Sequence, residues 1–147
     1  MRFNIRVYGI IINEKNQVLV SDEMRFGRSF TKFPGGGLEW GEGTKETLQR
    51  EILEELELDS EIGELFYVND FFQKSSFRDT DQILSFYYHV ASIDCDLIPV
   101  TDHEVPVTEE GEKFRWISLD QLTKDDFTFP IDKVVSGMLR GLSGNQR

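Results

Sequence analysis

Positive charge, cysteine, histidine and long apolar runs are all scarce in this sequence, and each scarcity excludes something. The chain of 147 residues carries 16 Lys and Arg against 27 Asp and Glu, a formal net charge of -11. Its long-range field repels phosphate backbones, so duplex nucleic acid is not an expected partner. The one cysteine, Cys95, permits neither an internal disulfide nor a cysteine metal cluster, and this fits a reducing, cytoplasmic setting. The two histidines are read as structural, His89 as a hydrogen-bonded strand residue and His103 as part of a loop surface. The N-terminal run Met1–Ile12 is interrupted by Asn4 and Arg6. No small-residue cleavage site follows it, so it is read as a β-strand and neither a signal peptide nor a membrane span.

What is present is the composition of a globular protein, 39% hydrophobic and 12% aromatic, at the commonest length for one domain. A single domain over residues 1–142 with a C-terminal tail at 143–147 is expected. Phe3–Ile12 and Gln17–Val20, separated by the turn residues Asn13–Asn16, predict a strand pair. The polar stretch Asp22–Thr31 then leads into Phe33-Pro34-Gly35-Gly36-Gly37, which is expected to be a loop of special backbone geometry. From Thr44 to Leu56 there is neither Gly nor Pro, and Leu48, Ile52 and Leu56 recur every four residues, the spacing of one helix face. Thr44 is the expected N-cap. Further strands are predicted at Leu65–Val68, Ile83–Val90 and Phe114–Ile117, and a second helix around Pro130–Leu142. Strands with one helix in the middle and one at the end indicate an α+β fold, an αβα sandwich around a mixed sheet.

The first helix is chemically unusual. At about 100° per residue Glu51, Glu54 and Glu55 share one face, and that stripe borders the apolar one. Like charges at these spacings destabilise a helix by a few tenths of a kcal/mol each unless something positive lies between them. An oxygen-only cluster of this type suits a hard cation, Mg²⁺ or, in its place, Mn²⁺. The glycines just before the helix permit close backbone approach and offer carbonyls to the same ion. Arg50 lies on the flank of the acidic stripe, placed to orient a carboxylate. A merely solvated acidic face is the alternative for the helix taken alone.

Gly36, five residues, Glu42, seven residues, then Arg50-Glu51-Ile52-Leu53-Glu54-Glu55-Leu56-Glu57-Leu58 resembles the Nudix box, with Glu57 where the pattern has its last glycine. The later Arg115-Trp116-Ile117-Ser118-Leu119-Asp120-Gln121-Leu122 is similar to Nudix domains too. The resemblance implies hydrolysis of a phosphoanhydride in a nucleoside diphosphate linked to another group, water attacking phosphorus. It implies metal ligands at Glu51, Glu54, Glu55 and the Gly35 carbonyl, an orienting Arg50, and an auxiliary acid at Glu42. The proton acceptor is then a box glutamate such as Glu54, or a downstream one. Glu110 is the first downstream candidate by its distance before Trp116, with Glu109 and Glu112 behind it; the alternative for each is plain surface charge. At Glu57 the choice lies between a strained left-handed residue and a longer helix, with the left-handed case favoured.

Arg25 and Arg28 are candidates for substrate phosphates, with solvated loop arginines as the alternative. Phe30, Phe71, Phe72 and Phe129 are read mostly as core residues instead of base-stacking ones. The expected substrate is a small nucleotide-like polyphosphate; no membrane partner is expected, and a homodimer is compatible with the chain. Lys124-Asp125-Asp126-Phe127-Thr128-Phe129-Pro130 resembles the C-terminal part of MutT-like enzymes, without the asparagine that would read an oxidised guanine. A Nudix-fold ligand-binding or regulatory module with little turnover is the competing function, and the intact Glu51, Glu54 and Glu55 stand against it. An isoprenoid diphosphate isomerase ranks lower, since Cys95 lies in an acidic loop far from the box.

Overall fold

The computed structural model of the chain describes residues 1–145, with side chains as far as Leu142. In chain order the strands are β1 (Arg2–Ile10), β2 (Gln17–Arg25), β3 (Arg28–Lys32), β4 (Gly35–Gly37), β5 (Glu61–Val68), β6 (Asp81–Ser92) and β7 (Gly111–Ser118). The helices are α1 (Thr44–Leu56) and α2 (Pro130–Asn145). They divide between two compact units, one built from Met1–Ile10 and Pro34–Ile98, the other from Ile11–Phe33 and the chain from Pro99 onward.

In the first unit the sheet order is β4-β1-β6-β5. β1 runs parallel to β6, with Arg2 opposite Asp81 and Ile10 opposite His89, while β4 and β5 join antiparallel. The mixed sheet expected from the sequence is therefore present. Gly35–Gly37, expected as a loop, forms a short strand at the sheet edge, the one place where residues without side chains can pair without weakening a central strand. Helix α1 buries Leu48, Ile52 and Leu56, each contributing roughly 1.5–3 kcal/mol by leaving water. Its N-cap is Gly43, not Thr44: the Glu46 carboxylate accepts the Gly43 N–H at 3.0 Å. Thr44 stands one place inside the helix, and its hydroxyl is drawn 2.6 Å from Tyr88 Oη instead of capping. Phe71 and Phe72 follow β5 in an exposed segment, so the core reading fails for both.

In the second unit β2 lies between β3 and β7, and all pairs are antiparallel. Here the sequence misled in two ways. β1 and β2 are not sheet partners; the chain between them closes through Leu19 N–H to Ile11 O, Asn13 N–H to Gln17 O and an isolated bridge from Ile12 to Val18. The stretch Asp22–Thr31 is not a connecting loop but most of a β2–β3 hairpin, turning at Phe26 and Gly27 with φ of 53° and 73°. Two positive φ values in succession match the twist of a tight hairpin. The strands were invisible because their buried positions, Ser21, Asp22, Glu23, Thr31 and Lys32, are polar, which erases the apolar alternation. The apolar core comes from Val18, Leu19 and Val20, from Phe33 stacked on Phe127 at 4.4 Å, and from Phe30 against Phe129 at 5.3 Å. Ile131, Val135 and Leu139 are the buried stripe of α2. That helix runs on to Asn145, through part of the expected tail, and the remaining tail residues 146–147 lie outside the described residues. No helix among the described residues is long and apolar enough to cross a membrane.

Helix α1 ends at Glu57, whose φ of 57° and ψ of 34° are left-handed and whose N–H bonds to Leu53 O. A side chain there is strained where glycine is not. Glu57→Gly is therefore expected to raise stability by up to about 1 kcal/mol, read as a higher denaturant midpoint at unchanged m-value. A lower midpoint would show that the strain has been relieved in some other way.

Candidate active site

In the first unit the site is built on contacts that only glycine permits. Gly35 has a φ of 147°. A Cβ there would collide with the Val7 carbonyl oxygen and stand 2.8 Å from Tyr8 Cα, so the residue type lets β4 close onto β1. A Cβ on Gly36 would fall 2.6 Å from Glu51 Oε2. The carboxylate of Glu51 thus occupies the space of a missing side chain, pressed against the strand backbone.

Arg50 ties this contact to the rest of the acidic face. Its Nη2 donates to Gly37 O at 2.9 Å, its Nε to Glu42 Oε2 at 2.6 Å, and its Nη1 to Glu51 Oε1 at 2.9 Å and Glu54 Oε2 at 3.3 Å. A second bond from Nη2 to Glu42 Oε1 at 3.1 Å makes the Glu42 pairing bidentate, the strongest arrangement for this fork. Glu42 also accepts the Thr47 hydroxyl and the Glu39 N–H. The guanidinium of Arg50 is the main reason why the Glu42 carboxyl is held down at about 2, and the same bond raises the Arg50 pKa further. Both are charged at any physiological pH.

Of the expected metal ligands, Glu51 and Glu55 are half-buried, whereas the Glu54 side chain is 59% exposed. Among the described residues no three His, Cys, Asp or Glu side chains converge into a preformed metal site. The donor chemistry nonetheless fits a hard divalent cation. It is all oxygen, it lies on one helix face beside a glycine strand, and its exposed member is Glu54.

The remaining sequence candidates belong to the second unit. Arg25 and Arg28 face each other at the tip of the β2–β3 hairpin, both exposed. Arg25 Nε lies 2.7 Å from Glu23 Oε1. Glu109 and Glu110 are exposed in the bend before β7, while Glu112 enters the strand and joins a buried network.

Sequence reasoning missed that network and a second one, because it read these strands as loop. On one face of β2, Glu23 lies 3.0 Å from Lys32 Nζ and stands directly opposite Glu112. On the other face Asp22, 1% exposed, accepts from Thr31 Oγ1 at 2.6 Å and from Arg115 Nε at 2.7 Å. Its Oδ2 also lies 2.7 Å from His103 Nε2. The side chain of His103 is only 5% exposed, which corrects its placement on the loop surface. The one available signal was the alternation of Ser21, Glu23 and Arg25 with a glycine turn following.

Ser21 has one hydroxyl proton, yet its Oγ lies 2.9 Å from Glu23 Oε2 and 2.7 Å from Glu112 Oε2. Both contacts are satisfied if one carboxyl carries a proton of its own. That carboxyl is Glu112: burial first, and then Glu23 beside it, push it up to about 7. Burial acts to raise Glu23 as well, but Lys32 and its other partners outweigh it and hold that carboxyl at about 2. Glu112, raised above its ordinary 4.5, contributes stability that is complete below about 4.5 and is lost as pH rises through about 7. Unfolding free energy should therefore fall between about pH 4.5 and 7, by at most about 1.4 kcal/mol per pH unit from this group. Glu112→Gln should flatten that slope in denaturant titrations at each pH. An unchanged slope would mean that Glu112 is already ionised.

The chain matches the NUDIX domain over residues 2–137. It is 27% identical over 134 residues to the 8-oxo-dGTP diphosphatase of Escherichia coli (strain K12), covering 90% of this chain and 93% of that protein. Similar solved structures include MutT from Aliivibrio salmonicida and Vibrio cholerae, with TM-score 0.67, 21% identity and coverage of 95% of this chain and 98% of that one. MutT from Methanosarcina mazei Go1 has TM-score 0.67, 18% identity and coverage of 99% and 96%. These structural likenesses establish the fold, and proteins with the NUDIX domain generally use divalent metal ions. Taken with a domain match that spans both units, they lead to one conclusion: the chain belongs to the NUDIX family and is a Nudix-type pyrophosphohydrolase.

Proposed function

We propose that the chain hydrolyses a phosphoanhydride bond of a small nucleoside polyphosphate in a reaction that depends on Mg²⁺ or Mn²⁺. Its similarity to an 8-oxo-dGTP diphosphatase makes nucleoside triphosphates, with diphosphate as leaving group, the first class to test. The observation that carries the reading is Arg50 held between Glu42, Glu51, Glu54 and the carbonyl of Gly37. That network orients carboxylates that would otherwise repel one another.

Glu51, Glu54, Glu55 and the Gly35 carbonyl would hold the cation. When bound, it neutralises charge on the bridging phosphates and makes water acidic enough to attack at neutral pH. The side chains do the rest. Arg50, anchored by Glu42, keeps the Glu51 carboxylate against Gly36, so this ligand does not need to be ordered when substrate arrives. Glu54 is the exposed member of the set, free to turn from Arg50 towards the reacting centre and to accept the proton of the attacking water at its carboxylate. The oxygen of that water bonds to phosphorus as the bridging P–O bond breaks, and the leaving phosphate departs with the electron pair. Glu110 remains the alternative proton acceptor, on the resemblance of its position alone. Arg25 and Arg28 are candidate phosphate contacts at the hairpin tip.

Diphosphate or phosphate release from a panel of nucleoside triphosphates and nucleoside diphosphate derivatives should appear with Mg²⁺ and vanish with excess chelator. Hydrolysis that persists in chelator would overturn the cation's part in the reaction. Glu54→Gln should lower turnover by on the order of a hundredfold or more, because it removes a charge at nearly constant shape. Its melting temperature should change little. If Glu54→Gln turns over like the parent while Glu51→Gln does not, the proton acceptor lies elsewhere and Glu110 is next in line.

A further inference from the structure

The start of β7 is held differently from the rest of that strand. Further along, β7 is met on both edges: β2 pairs with it on one side, and on the other Val100 bridges Phe114 while the Thr101 N–H bonds to Phe114 O. Gly111, Glu112 and Lys113 come before that point and pair with Met24, Glu23 and Asp22 of β2. The chain enters the strand at Gly111 with a φ of 134° and with open space where a Cβ would stand. Glycine is therefore needed there for its backbone conformation and not to make room, which gives the chain a pivot between strand and bend. The bend just before it carries the exposed Glu109 and Glu110.

Side chains fasten this end of the ladder through one hydroxyl. Ser21 is fully buried, and its Oγ lies 2.7 Å from Glu112 Oε2 and 2.9 Å from Glu23 Oε2. With Glu112 protonated, its carboxyl donates to Ser21 and Ser21 donates on to Glu23. Lys32 Nζ on β3 lies 3.0 Å from the same Glu23 oxygen, so one proton on β7 completes a chain of contacts across three strands. Without that proton, two carboxylates stand directly opposite each other with a single hydroxyl proton between them, and like charges so placed weaken a strand pair. The groups on this face are Ser21 and Glu23 of β2, with Arg25 at Glu23 Oε1, and Lys32 of β3. Lys113, Asp22, Arg115 and His103 belong to the opposite face.

We propose that the proton of Glu112 is a latch: it fastens the start of β7 to β2, and its loss lets residues 108–113 lift from the sheet about Gly111, carrying Glu109 and Glu110 with them. Opening returns the carboxyl to water, where its ordinary value is 4.5, against about 7 in the latched strand. The latch is therefore strongest below about 4.5, weakens as pH rises, and is weakest above about 7. This inference does not depend on the function proposed above. Where Glu110 serves as the alternative proton acceptor, the latch governs the segment that carries it.

Hydrogen exchange of the parent protein, expressed as protection factors so that the intrinsic effect of pH is removed, tests the latch. Between about pH 5 and 8, protection over 111–113 and 22–24 is expected to fall on the order of tenfold or more. At the far end of the same ladder Gln17, Val18 and Leu19 pair with Ser118, Ile117 and Trp116, and protection there should change by less than about threefold. Glu112→Gln carries no charge and keeps a donor for Ser21, so it should remove the pH dependence and leave the start of β7 protected. Protection in the parent that does not respond to pH would overturn the latch. So would an equal loss at both ends of the ladder, because the whole unit would then be opening. A step that persists in Glu112→Gln would overturn it by assigning the proton to another group. Should that variant fail to fold, the carboxyl carbon resonance of Glu112 in the parent decides the same point. It should titrate at about 7, together with the fall in protection, and titration in the ordinary carboxylate range would overturn the proposal.

Discussion

The acidic face depends on one close contact, the Glu51 carboxylate set against Gly36 where any other residue would place a Cβ 2.6 Å from its oxygen. A helix carboxylate is ordinarily a solvated group with several rotamers, and ordering it costs entropy. Here the strand removes most of that freedom before any ligand is present. The neighbouring glycine allows the approach: at a φ of 147°, Gly35 brings β4 onto β1 at a spacing that a side chain would forbid. A side chain at Gly35 would force β4 off β1, and one at Gly36 would displace the Glu51 carboxylate, even though neither glycine offers a side chain to the chemistry.

Bringing carboxylates together raises a second problem, their mutual repulsion, and the protein answers it in the same way in both units. On α1 the counter-charge is Arg50, which bonds three carboxylates and a carbonyl. Across β2 and β7 it is Lys32 and Arg25 beside Glu23, with a retained proton on Glu112 where cations are too few. On the other face of β2 it is Arg115 beside Asp22, with the His103 ring as a hydrogen-bond partner. The solutions differ in exposure. Asp22 and Glu23 are buried and serve the strands that hold them, whereas Glu54 is more than half exposed and can exchange Arg50 for another positive charge. That difference is the physical basis for placing function on the helix instead of on the more heavily charged sheet.

The helix was legible because its signal is redundant: period, lack of Gly and Pro, and bordering stripes all agree over the residues Thr44–Leu56. Glu51, Glu54 and Glu55 could be set on one face, with Arg50 on its flank, from rotation per residue alone, since side chains three and four residues apart are neighbours on any α-helix. The β2–β3 hairpin was illegible because strand recognition relies on apolar alternation, and here buried ion pairs replace apolar contacts at Asp22, Glu23 and Lys32. His103 was misplaced for a related reason. Its partner, Asp22, is 81 residues away in sequence, and nothing local announces a long-range hydrogen bond. The N-cap was misassigned by one residue because Thr44 has a competing partner in Tyr88, again a tertiary contact overriding a local preference.

Glu57 shows why the departure from the family pattern leaves the acidic face intact. Glycine at a helix end matters for the left-handed conformation that it admits, not for any atom that it contributes. In this chain Glu57 adopts that conformation and keeps the N–H bond to Leu53 O, so the helix stops where a glycine would have stopped it. Had the residue stayed right-handed, α1 would have run on through Leu58 and Asp59, and the chain would have had to find another route to β5 at Glu61. The strain of one left-handed glutamate, about 1 kcal/mol, is small beside the roughly 1.5–3 kcal/mol that burial of Leu56 alone contributes. Packing of the apolar stripe therefore decides where the helix ends, and the residue at its terminus conforms.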